Sequence, residues 1–411
     1  MNLHIVDWLS LVFRWAHIVA GIGWIGSSFY FMALDYSLRK RDGLPEGVKG
    51  ESWSVHGGGF YHVQKYMVAP EKMPQDLRWF QWESYATWLT GFALMSVVYY
   101  WQADIYLIDR SVMPLSKVQA TFISIGVLIS SWLVYDGLCK SPLKNNQTLM
   151  FAVLFALIVG AAIGLGQLFS PRAVFLHIGV MIGTIMTGNV FFVIIPNQKI
   201  VVSDLKQGKS PNPEFGAIAK LRSTHNNYLT LPVLFLMISN HYPITYTHAF
   251  NWVVVALILP IGAIVRHYFN AHDRGEHGAA MRWQWPAAAM LLLALMVFVA
   301  WRPSSNEAPA TPGISAEQTD EDANDPVDQQ AFAIIQTRCA VCHAASPSDF
   351  VTAAPAGIMY DSPALVHQYA AQIRAQTVDA HAMPPGNLTE MTDEERALID
   401  AWSQRVLSNN P

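Results

Sequence analysis

The chain has 411 residues, of which 52% are hydrophobic and only 14% are charged, whereas soluble globular domains have about 25% charged residues. This composition excludes an ordinary soluble protein and indicates one embedded in a membrane. Residues 1–302 contain 22 Lys and Arg against 15 Asp and Glu, while residues 303–411 contain 4 against 15. The acidic C-terminal part argues against nucleic-acid binding and predicts a second domain in different surroundings.

Eight apolar stretches approach or exceed the roughly 20 residues that a helix needs to cross the hydrocarbon core. The fold class predicted is therefore all-α, a polytopic bundle of about eight transmembrane helices. The sixth stretch is short and contains Pro232, and no cleavage site follows the first, which we expect to be an anchor. The stretches lie at 8–34, 84–102, 117–136, 149–168, 174–195, 228–240, 249–268 and 284–301.

Basic residues orient this bundle, because Lys and Arg are retained in cytoplasmic loops. Segments 35–83, 137–148, 196–227 and 266–283 together contain 17 Lys and Arg, whereas the opposite side has three, with Arg302 at the last exit. Eight crossings then place both termini outside, in the periplasm of a bacterial inner membrane.

The remainder of the chain divides into a linker and a small domain. Residues 303–326 contain Pro and acidic residues without periodicity, which is typical of a flexible linker. We predict a transmembrane domain over 1–302 and a cytochrome c domain over 327–411. Cys139, near a helix end, is expected to be a buried, unreactive thiol.

Covalent haem attachment is predicted by the CxxCH pattern that Cys339, Cys342 and His343 form. Both thiols can reach the vinyl groups of one haem, and the adjacent His343 then lies under the iron. A zinc site is the alternative, but it requires further ligands nearby. Haem is attached on the outer side of the bacterial inner membrane, which agrees with the orientation.

A second axial ligand is expected from Met383, since a Met followed by prolines ahead of a C-terminal helix (392–408) is typical of small class I cytochromes c. His381 competes for this role, and Met359 is a weaker candidate. His/Met ligation raises the reduction potential, which suits an electron acceptor.

Histidines within apolar segments are candidates for function. His17 lies about a third of the way into the first stretch from the outside, and His177 lies near the outer end of the fifth. Glycines follow each, and the two are candidate ligands of a b-type haem. His225 and His267 lie at the inner face and could hold a second one. Ordinary helix-packing histidines are the alternative for both pairs.

The first cytoplasmic loop contains three glycines between His56 and His62, flanked by aromatic residues. Glycine allows close approach of the backbone to a flat ligand, and aromatic rings supply stacking surfaces. Amides and cations at the same face could recognise a polar heterocyclic anion. An interfacial aromatic belt with loop glycines is the alternative.

These motifs together resemble the bacterial membrane-bound urate oxidases (urate hydroxylases) over nearly the whole chain. The resemblance rests on the eight stretches, HGGGFY followed by WFQWE, the IIPNQK and RSTHNNY segments and the C-terminal CxxCH. It implies oxidation of urate to 5-hydroxyisourate, with electrons leaving through the cytochrome domain to a soluble or membrane cytochrome or terminal oxidase.

On this basis we assign candidate residues for urate oxidation from their chemistry. His62, Lys65 and His56 are candidate bases. Because electrons would have to cross about 30 Å of hydrocarbon, the predicted cofactors are one covalent haem c and one or two b haems. Candidate substrate-binding residues are Gly58, Phe60, Tyr61, Asn197, Gln198, Arg222 and Asn226.

Three other functions fit parts of the pattern. A quinol–cytochrome c oxidoreductase would reduce haem c with quinol and ignore urate. A non-enzymatic membrane anchor for an electron-transfer cytochrome would show no substrate-driven reduction. A transporter with an attached cytochrome is disfavoured, because no pair of discontinuous repeats is present.

Overall fold

The computed structural model describes residues 5–67, 76–109, 112–246, 248–301, 326–347, 354–355, 358–379 and 381–408. Most of these residues are helical. The helices are α1 (Ile5–Ser37), α2 (Trp82–Met95), α3 (Ala103–Tyr106), α4 (Lys117–Lys140), α5 (Gln147–Leu165), α6 (Pro171–Gly188), α7 (Ile195–Lys206), α8 (Pro213–Ile238), α9 (Trp252–Asp273), α10 (Ala279–Arg282), α11 (Gln284–Ala300), α12 (Pro326–Arg338), α13 (Pro363–Gln368), α14 (Ala370–Arg374) and α15 (Asp393–Ser408). Two strands, β1 (Val48–His56) and β2 (Gly59–Tyr66), form an antiparallel hairpin.

Wider and tighter turns extend several of these helices. A π-helical segment, Ser96–Trp101, continues α2, and another, Asn189–Ile194, joins α6 to α7, while a third, Ala375–Asp379, follows α14. Short 3-10 turns lie at Pro142–Asn145, Ser239–His241, Pro243–Thr245 and Pro385–Asn387. The continuous segment Pro171–Lys206 is consequently the longest helical rod among the described residues.

Helices occupy all eight stretches that the sequence predicts to span a membrane. Five helical segments in the described part of the chain are long and apolar enough to do so: Ile5–Ser37, Lys117–Lys140, Gln147–Leu165, Pro171–Lys206 and Trp252–Asp273. The chain is therefore helical with several membrane-capable helices, and the count of eight crossings stays a prediction.

Side-chain caps fix where several of these helices begin. The Ser116 side chain accepts a hydrogen bond from the backbone N–H of Gln119, and the Gln119 side chain accepts one from the backbone N–H of Ser116. Asn146 caps α5 in the same way, and Ser170 caps α6 with Pro171 at its first position. These side chains satisfy backbone N–H groups that have no intrahelical partner, and they set the helix starts within apolar surroundings.

Two predictions of local structure are wrong. The all-α prediction misses the hairpin, in which Gly57 and Gly58 have φ values of +59° and +78° and make the tight turn that right-twisted strands favour. Segment 196–227, predicted as a loop, is instead helical over α7 and the start of α8. The polar residues of α7 and of the start of α8 obscured the helical periodicity, because polar side chains interrupt an apolar run without breaking a helix.

The core of the helical domain centres on α6, which packs against α2, α4, α5 and α8. Its buried residues include Ile178, Ile182 and Ile185. Large apolar side chains on the outer helices, such as Trp15, Phe122 and Leu293, are exposed instead. An apolar exterior around a packed core is the arrangement that a bilayer requires, because lipid tails are as apolar as these side chains.

The C-terminal helices form a separate small core. Helices α12, α14 and α15 pack together and bury Ile335, Ile399 and Trp402 next to Cys339. Helix α15 matches the predicted C-terminal helix within one residue, and Cys139 is buried as expected. The predicted linker lies outside the described residues apart from Pro326, which begins α12.

Helices α8 and α9 approach each other closely where a glycine meets a proline ring. A Cβ placed on Gly262 would lie 2.6 Å from Cδ of Pro232, which is rigid because the ring is closed on its own backbone. The crossing of these helices therefore depends on the missing side chain.

We expect Gly262→Ala to destabilise the helical domain by about 1–3 kcal/mol through this overpacking. The measurement is the midpoint of thermal unfolding in detergent. Gly126→Ala is the matched control, since a Cβ there meets nothing within 4 Å and helix propensity predicts a gain of about 0.5–1 kcal/mol. Equal midpoints for the two variants would contradict the expectation.

Candidate functional site

A network of buried polar side chains, here called the Arg222 network, lies between α4, α6 and α8. Arg222 is only 2% exposed and donates from Nη2 to Oδ1 of Asp136 at 2.6 Å and from Nη1 to Oδ1 of Asn189 at 3.1 Å. Its guanidinium also lies over the ring of Tyr135, 5.0 Å from the centroid. The guanidinium of Arg222 is therefore paired with a carboxylate and held in place by Asp136, Asn189 and the Tyr135 ring.

The network continues from Asn189 to a buried histidine. Nδ2 of Asn189 lies 3.0 Å from the Tyr135 hydroxyl and 2.8 Å from Oδ1 of Asn226. Nδ1 of His225 lies 2.8 Å from the Tyr135 hydroxyl, and the other ring nitrogen of His225 lies 3.2 Å from Oε1 of Gln147. Both nitrogens of His225 therefore have partners, so the ring is fixed in orientation.

The position of Asn189 is unusual, because it begins the π-helical segment that follows α6. The wider turn of a π-helix is rare and is frequently found at functional sites. Asn189 is fully buried and is hydrogen-bonded to three side chains of the network, those of Tyr135, Asn226 and Arg222, through both its amide atoms. It is the residue that joins α4, α6 and α8 at this level.

An apolar cavity of about 570 Å³ lies on the other side of α8, between α5 and α9. Two of its lining residues form a polar pair, since Nδ1 of His267 is 2.9 Å from the Tyr228 hydroxyl. The walls are otherwise mostly aliphatic and aromatic: Phe151, Ala152, Leu154, Phe155, Ile158, Leu229, Pro232, Leu259, Pro260, Ala263, Ile264 and Trp283. Mostly apolar walls with a few placed polar groups are typical of a ligand or cofactor site.

The histidines predicted to bind b haems lie in two different settings. His17 donates from Nδ1 to the Thr87 carbonyl at 2.9 Å and packs against Gly91, where a Cβ would lie 2.7 Å from its ring. His177 is fully buried, with Nδ1 2.7 Å from the Ala173 carbonyl and Nε2 2.7 Å from the Ser124 hydroxyl. Each ring thus has one nitrogen on a backbone carbonyl, as metal-ligating histidines usually do.

The inner pair of histidines is brought together around one aromatic ring. Phe151 lies 5.3 Å from the ring of His225 and 5.7 Å from that of Tyr228, which in turn contacts His267. His267 lines the cavity, whereas His225 is bonded within the Arg222 network. The residues around His267 fit a planar apolar cofactor by volume and by lining.

The hairpin residues predicted as base and substrate contacts lie apart from both sites. His62 donates to Oε2 of Glu51 at 2.6 Å and stacks on Trp53 at 4.1 Å between ring centroids. Lys65 forms an ion pair with Asp35 at 2.5 Å, which ties β2 to the end of α1. The carboxylate partner of His62 orients its ring as it would for a general base.

The other hairpin candidates are exposed. Phe60 is 79% and Tyr61 54% exposed, and His56 and Gly58 lie at the exposed end of the hairpin. Asn197 and Gln198 on α7 are half-buried and exposed, respectively. The structure therefore brings Arg222, Asn226 and His225 together and leaves the remaining predicted substrate residues outside that network.

The CxxCH segment forms a tight turn directly after α12. The backbone N–H groups of Cys342 and His343 both donate to the Cys339 carbonyl, at 3.1 and 2.9 Å. Nδ1 of His343 lies 3.0 Å from the Ile358 carbonyl, which leaves Nε2 for an axial bond. Burial raises the pKa of Cys339 to about 12 and also raises the pKa of Cys342.

The surroundings of the CxxCH segment bear on which group it could hold. Among the described residues, no group of three or more His, Cys, Asp or Glu side chains is placed to hold a metal ion. Met383 lies in a loop held by Arg396, which donates to its carbonyl at 2.9 Å. The haem ligands His343 and Met383 remain predictions that this local geometry accommodates.

Sequence reasoning missed four residues of the Arg222 network: Asp136, Asn189, Tyr135 and Gln147. Two of them carried a usable signal. Asp136 closes the third apolar stretch and Asn189 lies inside the fifth, and polar residues in such segments usually face the bundle interior. Tyr135 and Gln147 are common interfacial residue types and gave no comparable indication.

The fold and the buried polar networks define a helical protein with membrane-capable helices and sites inside its bundle. The chain belongs to the family described as Urate oxidase N-terminal, which it matches over residues 3–300. That match covers the helical domain and ends before the CxxCH segment. No curated protein and no solved structure matches the chain.

Family membership makes the helical domain urate oxidase-like and indicates an oxidoreductase. The matched residues include every membrane-capable helix and the hairpin. The resemblance deduced from the HGGGFY, IIPNQK and RSTHNNY segments is thus confirmed at the level of the family.

We expect acid to loosen the hairpin, since the hydrogen bond from His62 lowers the pKa of Glu51 below 4.5, its ordinary value. A carboxylate with a lowered pKa stabilises the fold above its unfolded-state pKa, and that contribution is lost as the pH falls through its folded-state pKa. The protection of the β1 and β2 amides against hydrogen exchange, relative to the intrinsic exchange rate at each pH, should therefore fall below about pH 4.5. Glu51→Gln should abolish this pH step; an identical step in the variant would refute its assignment to Glu51.

Proposed function

We propose that the protein oxidises urate to 5-hydroxyisourate within the helical domain and passes the electrons through haem to the C-terminal cytochrome c domain and on to the respiratory chain. The observation that carries this proposal is the family match over residues 3–300. The reaction balances as urate plus water giving 5-hydroxyisourate, two protons and two electrons. An electron acceptor is consequently required, and the CxxCH domain supplies a candidate within the same chain.

We assign residues of the chain to three groups: candidate bases, members of the buried network and substrate contacts. His62 takes up the substrate proton, with Lys65 and His56 as alternative bases. Arg222 and Asn226 belong to the buried network, and Gly58, Phe60, Tyr61, Asn197 and Gln198 remain proposed contacts at the inner face. The carboxylate of Glu51 supports the choice of His62, because it orients the imidazole.

Haem, when bound, supplies one-electron carriers. The proposed ligands are His343 and Met383 for haem c, and His17, His177, His225 and His267 for one or two b haems. The cavity lined by His267 supports an inner site by its volume, and the Nδ1 contact of His17 supports an outer one, whereas His177 would have to release Ser124 from Nε2 to bind iron. Both termini and the cytochrome domain are proposed to be periplasmic in a bacterial inner membrane.

A contact between the two domains favours electron exit at α3. The turn Pro385–Asn387, directly after Met383, packs on α3. Gly386 lies so close that an added Cβ would be 2.2 Å from the Ile108 carbonyl. The loop proposed to supply the second haem c ligand is therefore seated against the helical domain.

We expect Gly386→Ala to slow the reduction of haem c by urate several-fold, because the new methyl group forces the loop away from α3. The measurement is the stopped-flow rate of the haem absorption change under anaerobic conditions. Gly208→Ala is a matched control with a similar φ, +68° against +55°, and nothing within 4 Å of its Cβ. Unchanged rates in Gly386→Ala would show that this contact does not set electron exit.

The decisive test adds urate anaerobically to the oxidised, full-length protein in detergent. We expect urate to reduce the c-type haem with formation of 5-hydroxyisourate, and a Cys339→Ser/Cys342→Ser variant to lose the covalently bound haem on a denaturing gel. A pyridine haemochrome spectrum with haem c alone would remove the b haems from the proposal. Reduction by quinol but not by urate would favour the quinol–cytochrome c oxidoreductase, and reduction by neither would favour an electron-transfer anchor.

A further inference from the structure

A second polar cluster lies between α8 and α9, on a different face of α8 from the Arg222 network. Asn227 and Asn270 are fully buried, and Arg266 is 5% exposed. Oδ1 of Asn227 accepts from Nε of Arg266 at 3.1 Å and from Nδ2 of Asn270 at 2.9 Å. The Arg266 guanidinium also lies 4.0 Å from the ring centroid of Phe29 on α1.

Three polar atoms of this cluster are buried and have no hydrogen-bond partner among the described residues: Nη2 of Arg266, Nδ2 of Asn227 and Oδ1 of Asn270. The two accepted bonds fix the amide of Asn227 with its oxygen toward Arg266, so its NH2 group is the free side. Buried polar groups nearly always have partners, and three orphaned ones on adjoining side chains indicate a ligand that supplies them.

The charge of Arg266 distinguishes it from Arg222. Arg222 is paired with Asp136 at 2.6 Å, so its guanidinium already has an anionic partner. Arg266 forms no ion pair within the described part of the chain; Asp273 is the carboxylate that influences it electrostatically. A buried cation with free N–H groups requires an anionic partner more than a neutral one.

We propose that Arg266, Asn227 and Asn270 bind the urate anion, which makes them the substrate-recognition site of the helical domain. Two free N–H donors and one free carbonyl acceptor complement the alternating carbonyl and N–H groups along an edge of urate. This inference rests on the proposed function, and it assigns substrate recognition to three residues outside the set predicted from sequence.

The cluster lies close to the proposed inner cofactor cavity, so a ligand bound there is near a possible electron acceptor. Tyr228 follows Asn227 directly and interacts with Asn270 and Arg266, and its hydroxyl contacts His267 at the edge of the apolar cavity. A substrate at the cluster therefore lies on one side of Tyr228, with the proposed inner cofactor cavity on the other. Tyr228 is in this way a positioning residue between the two.

The test measures binding without turnover. The full-length protein is reduced with dithionite in detergent, so that it cannot accept electrons, and the affinity for radiolabelled urate is determined by equilibrium dialysis. Arg266→Lys keeps the charge but removes the planar fork, and Asn270→Asp keeps the shape but places a carboxylate against the anion. We expect each to weaken binding roughly 10- to 100-fold.

Arg172→Lys is the matched control, since Arg172 also lies over an aromatic ring, Tyr106 at 4.8 Å, and has a buried Nε without a partner. We expect it to bind urate as the wild type does. Thermal unfolding is measured for every variant, and a loss of binding that only parallels a loss of stability would count against the inference.

The possible failures are distinguishable. Wild-type-like urate binding by Arg266→Lys and Asn270→Asp, with urate still reducing the haem, would overturn this site and leave the proposed function standing. Absence of both binding and reduction in the wild type would overturn the proposed function, and this site with it.

Discussion

The helical domain depends on the pairing of Arg222 with Asp136. A charge enclosed by apolar helices is tolerated only when an opposite charge and further hydrogen bonds surround it, and Asp136, Asn189 and the Tyr135 ring provide that enclosure. Because these partners come from α4 and α6, the pair fixes the rotation of α8 relative to both helices. Removal of Asp136 would leave the buried guanidinium of Arg222 without its ion-pair partner, at a cost of about 3–5 kcal/mol.

The rotation of α8 determines what each of its faces does. Arg222, His225 and Asn226 recur at helical spacing and face α4 and α6, which turns Tyr228 toward the apolar cavity and Asn227 toward α9. A single helix thus separates a neutralised polar network from a cluster with an unpaired cation. The first has the properties of a structural connection, and the second those of a binding site.

Much of the helical architecture was predictable from the sequence, because uninterrupted apolar runs report helices directly. The predictions failed in polar segments. The hairpin turn at Gly57–Gly58 and the amphipathic start of α8 contain no apolar run. The site was partly predictable for the same reason. His225 and Arg222 stood out as polar groups beside apolar stretches, whereas the pairing of Asn227 with Asn270 depends on how α8 crosses α9, which no local pattern encodes.

The acidic C-terminal part is seated against the helical domain by the contact at Gly386. Its net charge of −11, from 4 Lys and Arg against 15 Asp and Glu, favours solubility over insertion into the bundle. A close backbone contact depends on complementary shape rather than on charge. Gly386 allows such a contact with the Ile108 carbonyl because it has no side chain. A basic surface would complement these acidic residues, because opposite potentials accelerate and orient association.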